Sequence, residues 1–475
     1  MTARPNILVL QSDQHSAHIM SCAGHPVVRT PNLDRLAAEG VRFSNVYCPA
    51  PLCQPSRAAS LTGRHGRNTG VTTNKGYLRD DEPTFAQALQ EAGYHTAFIG
   101  KTHLGQSTRA GDSACDEWLH CKGFTDAIPQ FGKVGAALWG TDDCYQRHLS
   151  KKGMRDRFRE DYRERRGSST VVARPSVLPE EDFHDNFISD LTCEWIAEYS
   201  GEQPFFCWCN WGGPHAPFDA PGRYAEMYAA EDVDLPVSDP MERTPGPWRA
   251  RSAKTLAGMS EPSIRECRAH YYGLVNVIDD GVGRVLQTLE RRGLLDNTVV
   301  VYTSDHGEML FEHGLMAKST MYEEAVKVPL LVRWPERFRG GRDCHQLVSL
   351  LDLTATCIDL AAAETLPVSH GKSLIPLLEG RDVEHRRAVF SELGPQVEGP
   401  MKMVREGRYK FIYHPGWEIP QLFDLEADPR ELTNLAGLAD YAEVETRLRE
   451  RLLNWCFETD VLPNTLWQAP KRGSS

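Results

Sequence analysis

The sequence predicts an α/β fold, with a large, mostly parallel sheet covered by helices on both faces and a smaller C-terminal α+β subdomain. Predicted helices and strands alternate through residues 1–386, a pattern typical of parallel sheets with helices on either side. Several strands are continuous apolar runs, which indicates burial on both faces. After residue 387, short strands separated by polar turns follow one another, which predicts a short antiparallel sheet within residues 387–475.

The individual elements follow from hydrophobic pattern and from boundary residues. Pro31 suits the first turn of a helix, and Gly93 suits the end of another. In the first part, strands are expected at 6–10, 41–46, 95–99, 204–210, 298–303 and 328–333. Helices are expected from residue 31 and at 83–93, 186–199 and 271–292. The C-terminal part is expected to contain strands at 389–392, 401–405 and 409–413 and a helix at 442–457.

Composition limits the class of protein. The chain has 475 residues, of which 41% are hydrophobic and 25% charged, so it can bury a sizeable core. The net charge of −12 disfavours nucleic acid as a partner, because phosphate binding requires clustered Lys and Arg.

The expected location is cytoplasmic. The N-terminus lacks the pattern of a signal peptide, and no apolar run is long enough for a membrane helix, so no membrane partner is expected. The 13 cysteines are irregularly spaced and are expected to be mostly buried thiols.

Polar side chains follow four of the predicted strands. These groups are Asp13 with Gln14, Lys101 with His103, His215, and Asp305 with His306. Because the carboxyl ends of parallel strands lie at one edge of a sheet, the four groups are expected to converge there. The sequence therefore predicts a functional site at that edge.

Residues 107–176 break the alternating pattern and are interpreted as an insertion or a lid. Within them, the stretch 151–166 is dense in charge. A solvated helix with ion pairs accounts for this stretch, and a lid or an oligomer contact is the alternative.

One motif carries a family resemblance. Cys53-Gln54-Pro55-Ser56-Arg57, followed by Leu61-Thr62-Gly63-Arg64, resembles the signature of the formylglycine-dependent sulfatases of the alkaline phosphatase superfamily. The resemblance implies an alkaline-phosphatase-like fold and hydrolysis of a sulfate ester to an alcohol and inorganic sulfate. It also implies that a separate formylglycine-generating enzyme oxidises Cys53 to an aldehyde, whose hydrate attacks sulfur.

The position of the motif suits that chemistry. A helix is expected to begin near Ser56, and its unpaired N–H groups favour an oxyanion beside Cys53. Arg57 adds a cation, and in the family the matching arginine holds the hydrated aldehyde.

The same resemblance implies one divalent metal, bound by Asp13, Gln14, Cys53, Asp305 and His306. Carboxylates are the ligands that calcium and magnesium prefer. The family usually has an aspartate where this chain has Gln14, and the resulting mixture of oxygen and nitrogen donors suits manganese. Calcium is the expected ion, with manganese and magnesium as alternatives.

Four further residues match family elements: Lys101 and His103 in Gly-Lys-x-His-x-Gly, His215 in Pro-His-x-Pro, and Lys318 at a second lysine position. By resemblance, Lys101 and Lys318 bind the sulfate oxygens, and His103 orients the aldehyde hydrate. His215 would protonate the leaving oxygen, a role that suits a histidine because its ordinary pKa is near neutral.

Two other functions remain open. A phosphonate or phosphate ester hydrolase of the same superfamily would share formylglycine and the metal pairs, although those relatives have tyrosine and threonine at the positions of Lys101 and His103. A non-catalytic binding protein is expected if Cys53 is not converted.

The substrate also stays open among choline sulfate, aryl sulfates and sulfated saccharides, as does assembly into a homo-oligomer. Residues that could line the pocket are Asn74, His18, His65, Trp211 and Asp219, together with residues 107–176.

Overall fold

The computed structural model describes residues 4–104, 112–139, 142–237, 244–395 and 399–460. In chain order the strands are β1 Asn6–Asp13, β2 Val41–Phe43, β3 Val46–Tyr47, β4 His95–Lys101, β5 Asp126–Gln130, β6 Phe205–Pro214, β7 Thr298–Ser304, β8 Leu330–Arg333, β9 Arg342–Cys344, β10 Val348–Ser349, β11 Ala388–Leu393, β12 Met401–Glu406, β13 Tyr409–Tyr413 and β14 Gln421–Asp424.

The helices cover the sheet and connect its strands. In chain order they are α1 Pro31–Glu39, α2 Cys53–Thr62, α3 Gly66–Thr69, α4 Phe85–Glu91, α5 Asp112–Cys121, α6 Gly132–Leu138, α7 Cys144–Lys151, α8 Arg155–Gly167, α9 His184–Glu198, α10 Gly246–Leu256, α11 Glu261–Arg291, α12 Glu323–Val326, α13 Leu351–Ala361, α14 Ile375–Leu378 and α15 Ala442–Glu458. No helix of the described ranges is long and apolar enough to cross a membrane.

The large sheet has eight strands in the order β5-β4-β6-β1-β7-β8-β2-β9. All neighbouring pairs are parallel except the two made by β8, which runs antiparallel to β7 and β2. The predicted α/β class with a mostly parallel sheet is confirmed.

The central strands are buried on both faces, as their apolar runs predict. In β1, Ile7 and Val9 pack into the core on one face, whereas Leu8 and Leu10 pack into the core on the other. Alternate side chains of a strand point to opposite faces, so a strand between two helical layers needs apolar residues at every position.

Several elements differ from the sequence prediction. Helix α2 begins at Cys53, three residues before the expected start near Ser56. Residues 41–46 form two strands in different sheets, because a bend at Ser44 and Asn45 separates β2 from β3. Helix α11 begins ahead of the predicted residue 271, at Glu261, where the hydroxyl of Ser260 accepts a hydrogen bond from the N–H of Ser263. Within residues 107–176, β5 is the edge strand of the large sheet, so part of this segment belongs to the main fold.

The C-terminal part contains the predicted antiparallel sheet, in the order β11-β12-β13-β14, with α15 packed on it. Strand β11 begins one residue after Arg387. The buried ammonium of Lys410 on β13 pairs with Glu323 of α12 at 3.0 Å and with Glu431. This ion pair joins the small sheet to the part of the chain that carries the large one.

Candidate active site

Four neighbouring parallel strands bring the predicted polar groups to one edge of the sheet. In the order β4-β6-β1-β7, these strands end at Lys101, Pro214, Asp13 and Ser304. His215 follows β6 directly, and Asp305 and His306 follow β7. The convergence expected from the sequence is therefore present.

Cys53 lies at the first position of α2, facing this edge, and is 1% exposed. Its Sγ atom is 3.1 Å from Nε2 of His306 and 3.9 Å from Oδ1 of Asp13. Burial raises the pKa of the thiol, but the positive charges of Lys318 and His306 outweigh it, so that this pKa lies well below its ordinary value. The site therefore favours an anion at this position.

Arg57 is buried beneath Cys53 and bridges both carboxylates. Its Nη2 donates to Asp13 at 3.1 Å, and its Nε donates to Asp305 at 2.8 Å. Its Nη1 donates to Oδ1 of Asn210 and to the carbonyl of Lys101, each at 3.0 Å. A guanidinium group has five N–H donors in a fixed plane. This one side chain can therefore hold groups of β1, β4 and β6, and the residue that follows β7, in a fixed arrangement.

Asp13, Cys53, Asp305 and His306 form a buried group suited to a metal ion. One ligand atom from each lies within 4.8 Å of all the others. The pKa of Asp305 is raised, first by burial and then by the nearby charge of Asp13. Two carboxylates buried close together favour a cation between them, so these residues fit a divalent ion.

Gln14 adopts a positive φ of 72° directly after β1. Its main-chain N–H donates to Oδ1 of Asp305 at 3.1 Å. Its side-chain oxygen accepts a hydrogen bond from the ammonium of Lys318, and its amide nitrogen donates to Glu308. Gln14 and Lys318 therefore lie together at the site.

A cavity of about 310 Å³ opens above Cys53. Lys101, His103 and His215 line it, and Lys318 is not among its lining residues. The ammonium of Lys101 is 2.5 Å from Asp13. Cationic and imidazole groups around a small cavity suit a compact anion.

His215 is held in a defined orientation. Its Nδ1 is 2.6 Å from the carbonyl oxygen of Ala216, so Nδ1 carries the proton in this contact. Burial, followed by the positive charge of Lys318, lowers the pKa of His215 to about 4. The other ring nitrogen is therefore neutral in the cavity until a bound anion raises its proton affinity.

Some predicted pocket residues line the cavity and others lie elsewhere. Asn74 lines it and accepts a hydrogen bond from the N–H of Gln54 at 3.0 Å, near the start of α2. Trp211 is fully buried and donates to Ser189. Asp219 is also buried, where it accepts a hydrogen bond from Lys133 at 2.7 Å.

His65 and His18 lie away from the cavity. His65 is buried against His370 and Trp455. His18 lines a separate cleft that includes Arg268.

The expectation that residues 107–176 contribute to the pocket is confirmed by Lys133 and Trp139, although sequence reasoning did not single them out, and it missed Asn210 and Glu308. Asn210 holds Arg57 but stands at the end of a predicted strand, where it has no motif of its own. Lys133 and Trp139 line the cavity from α6 and from the residue that follows it, within the segment without a recognised pattern. Locating these two residues required knowing where that segment packs against the sheet, which its sequence pattern did not show.

Comparison with known proteins places these features in a family. The family model described as "Sulfatase" matches residues 5–363, and a second model, "N-sulphoglucosamine sulphohydrolase, C-terminal", matches residues 311–457. An arylsulfatase from Clostridium perfringens is 29% identical over 460 residues, covering 95% of this chain and 94% of the relative.

Two further likenesses extend over nearly the whole chain. An N-acetylglucosamine-6-O-sulfatase from Bacteroides thetaiotaomicron is 29% identical over 490 residues, covering 95% of this chain and 86% of the relative. The crystal structure of a phosphonate monoester hydrolase from Agrobacterium radiobacter superimposes with a TM-score of 0.82 at 25% identity, covering 96% of each chain.

Proposed function

The chain belongs to the sulfatase family, and we propose that it cleaves a sulfate ester at Cys53 after conversion of this residue to formylglycine. The observation that carries the proposal is the surroundings of Cys53. The residue stands at a helix N-terminus, and its Sγ is 3.1 Å from His306 and 3.9 Å from Asp13, which Arg57 in turn holds. An anionic nucleophile is stabilised in such surroundings.

A divalent cation is part of the proposal. Asp13, Asp305 and His306 would hold it, together with the side chain at position 53. When bound, the cation supplies positive charge for the sulfate oxygens and for the nucleophile. The side-chain oxygen of Gln14 bonds Lys318 here, and Gln14 stays a proposed ligand. Calcium is the proposed ion, with manganese and magnesium as alternatives.

The other cavity residues take the roles that their positions support. Lys101 and Lys318 supply positive charge for sulfate oxygens, because both influence the charge state of position 53. His103 contributes a hydrogen bond to that position. His215 protonates the leaving oxygen, since bound negative charge raises the proton affinity of its second ring nitrogen, which faces position 53.

A second candidate function is hydrolysis of a phosphonate or phosphate monoester. The likeness to the Agrobacterium phosphonate monoester hydrolase favours it, with a TM-score of 0.82. Both reactions place negative charge on equatorial oxygens, so one cationic site can serve both. Lys101 and His103, which line the cavity, argue against this candidate, because they are the residues expected in an enzyme that binds a sulfate.

The proposal is tested on protein co-produced with a formylglycine-generating enzyme. Mass spectrometry of the Cys53 peptide should show replacement of the thiol by an aldehyde. Turnover of phenyl sulfate should exceed that of phenyl phosphonate, and Cys53→Ala should lower kcat by about four orders of magnitude or more.

The matched control is Cys121→Ala, which removes an exposed cysteine and should leave turnover unchanged. Faster turnover of the phosphonate would favour the second candidate. An unconverted cysteine together with no turnover of either ester would favour a binding protein.

A further inference from the structure

A second, larger depression continues the catalytic cavity. This trough has a volume of about 1180 Å³, compared with about 310 Å³ for the cavity above Cys53. Val134, Trp139 and Ala216 line both. Ala216 is the residue next to His215, which is proposed to protonate the leaving oxygen. The trough therefore begins on the side of the cavity where His215 lies.

The wall of the trough is largely apolar. Two of its polar side chains are engaged with the protein behind it: the hydroxyl of Tyr162 donates to Asp219 at 2.6 Å, and Arg165 donates to Asp161 at 2.7 Å. The other polar residues of the wall are Arg166, Ser168, Ser169, Thr170, Arg251, Lys254 and Thr255. Most of the surface that a ligand would meet is nevertheless made of rings and aliphatic carbons, among them those of Leu138, Val171, Val172, Phe218 and Met316. A wall on which apolar surface predominates leaves part of a saccharide's hydroxyl groups without hydrogen-bond partners, and unmatched polar groups weaken binding.

The charges around the trough have one sign. Arg165, Arg166, Arg251 and Lys254 line it, and no carboxylate does so among the residues that the structure describes. A cationic alcohol such as choline would be repelled by these groups. A neutral or anionic apolar alcohol is compatible with them.

Trp139 stands where the cavity meets the trough. It is 52% exposed, and its ring centroid is 6.4 Å from that of His103. An exposed tryptophan beside a reactive site offers a flat apolar face on which a ring can stack.

We propose that the trough binds the organic part of the substrate and that the natural ester is the sulfate of a large apolar, ring-containing alcohol. The inference rests on the proposed function, because the trough continues the cavity in which the sulfate would be cleaved. A ring next to the sulfate lies against Trp139, and the remainder of the alcohol lies along Val171 and Val172.

The first experiment measures how kcat/KM depends on the size of the alcohol. Converted protein is assayed with 4-alkylphenyl sulfates from methyl to hexyl, whose phenols differ little in acidity. Each methylene buried in the trough should raise kcat/KM about twofold to fourfold until the trough is filled. Among esters of primary alcohols, cyclohexylmethyl sulfate should be a better substrate than choline sulfate or N-acetylglucosamine 6-sulfate.

Two variants locate the effect. Val172→Ser should flatten the dependence on chain length, because the alkyl chain lies along this residue. Trp139→Ala should instead lower kcat/KM for every ester of the series by a similar factor, because each carries the ring that lies against Trp139. Phe457→Ala, which removes an exposed aromatic ring from α15 (79% exposed, compared with 52% for Trp139), should leave both the dependence and the rates unchanged.

The outcomes separate the two proposals. Turnover that does not depend on alkyl length, or a preference for the choline or saccharide ester, overturns the trough inference and leaves sulfate hydrolysis standing. If no sulfate is cleaved by converted protein, hydrolysis is refuted, and equilibrium binding of the same esters still decides the trough. Affinity that rises with alkyl length supports the inference there, and constant affinity overturns it.

Discussion

Replacing Arg57 by methionine tests whether this arginine holds two buried carboxylates in place. Asp13 and Asp305 are both 0% exposed, and Arg57 donates to them at 3.1 and 2.8 Å. Removing one partner of a buried ion pair typically costs about 3–5 kcal/mol, since the other charge is left unpaired. Lys101 still neutralises Asp13, so we expect the lower part of this range, about 3 kcal/mol, in the presence of a chelator.

A divalent cation should offset part of this loss. A cation present at 100 times its dissociation constant stabilises the folded state by about 2.7 kcal/mol, and the variant has more unpaired negative charge to bind it. We therefore expect the free energy of unfolding of Arg57→Met to rise more steeply with calcium or manganese than that of wild type. Urea unfolding followed by tryptophan fluorescence, with chelator and with each metal, measures both effects.

The matched control is Arg64→Met. Arg64 pairs with the buried carboxylate of Glu82, and both side chains are less than 5% exposed, but neither belongs to the proposed metal group. Because Arg79 still pairs with Glu82 at 3.2 Å, this variant should also lose about 3 kcal/mol, with no dependence on divalent cations beyond that of wild type. If Arg57→Met is as stable as wild type in chelator, or if both variants respond alike to metal, the reasoning about this site is refuted.

Two further predictions concern the remainder of the fold. Burial of Glu392 opposes its ionisation, but Lys402 and Arg67 lower its pKa from 4.5 to about 2. The ionised carboxylate therefore stabilises the fold by about 3 kcal/mol above about pH 4.5, and this stabilisation is lost as the pH falls toward 2. Glu392→Gln should flatten the stability profile between pH 2 and 4.5, and a profile parallel to that of wild type would contradict this. Gly100→Ala should cost about 2–5 kcal/mol in urea unfolding, because φ is +101° and the added carbon would lie 2.1 Å from a carbonyl oxygen of β6. Gly407→Ala is its control, with a positive φ but no atom within 4 Å, and an equal loss in both variants would disprove the packing argument.

The sequence predicted the main sheet because its central strands are buried on both faces. Val299 and Val301 face one core and Val300 and Tyr302 the other, so the hydrophobic pattern of β7 alone indicated a layer on either side. The hydrophobic pattern did not show that β2 and β3 are separate strands, because it continues across the two-residue bend between them.

For the site, the local sequence was sufficient where a functional residue directly follows a strand. Asp13, His215 and Asp305 could be placed together because parallel strands end at a common edge. Asn210 could not, because its role depends on reaching Arg57, which is distant in sequence.

The sequence by itself therefore determined the fold class, the family and the group of residues around Cys53, because these depend on local pattern and on a contiguous motif. Only the tertiary structure decided how Arg57 joins the strand ends, that Gln14 bonds Lys318, and that an apolar trough continues the cavity. These features depend on contacts between residues far apart in the chain. Hydrophobic period and motif spacing report on neighbours in sequence, whereas the distance between two distant side chains is set by the packing of the entire sheet.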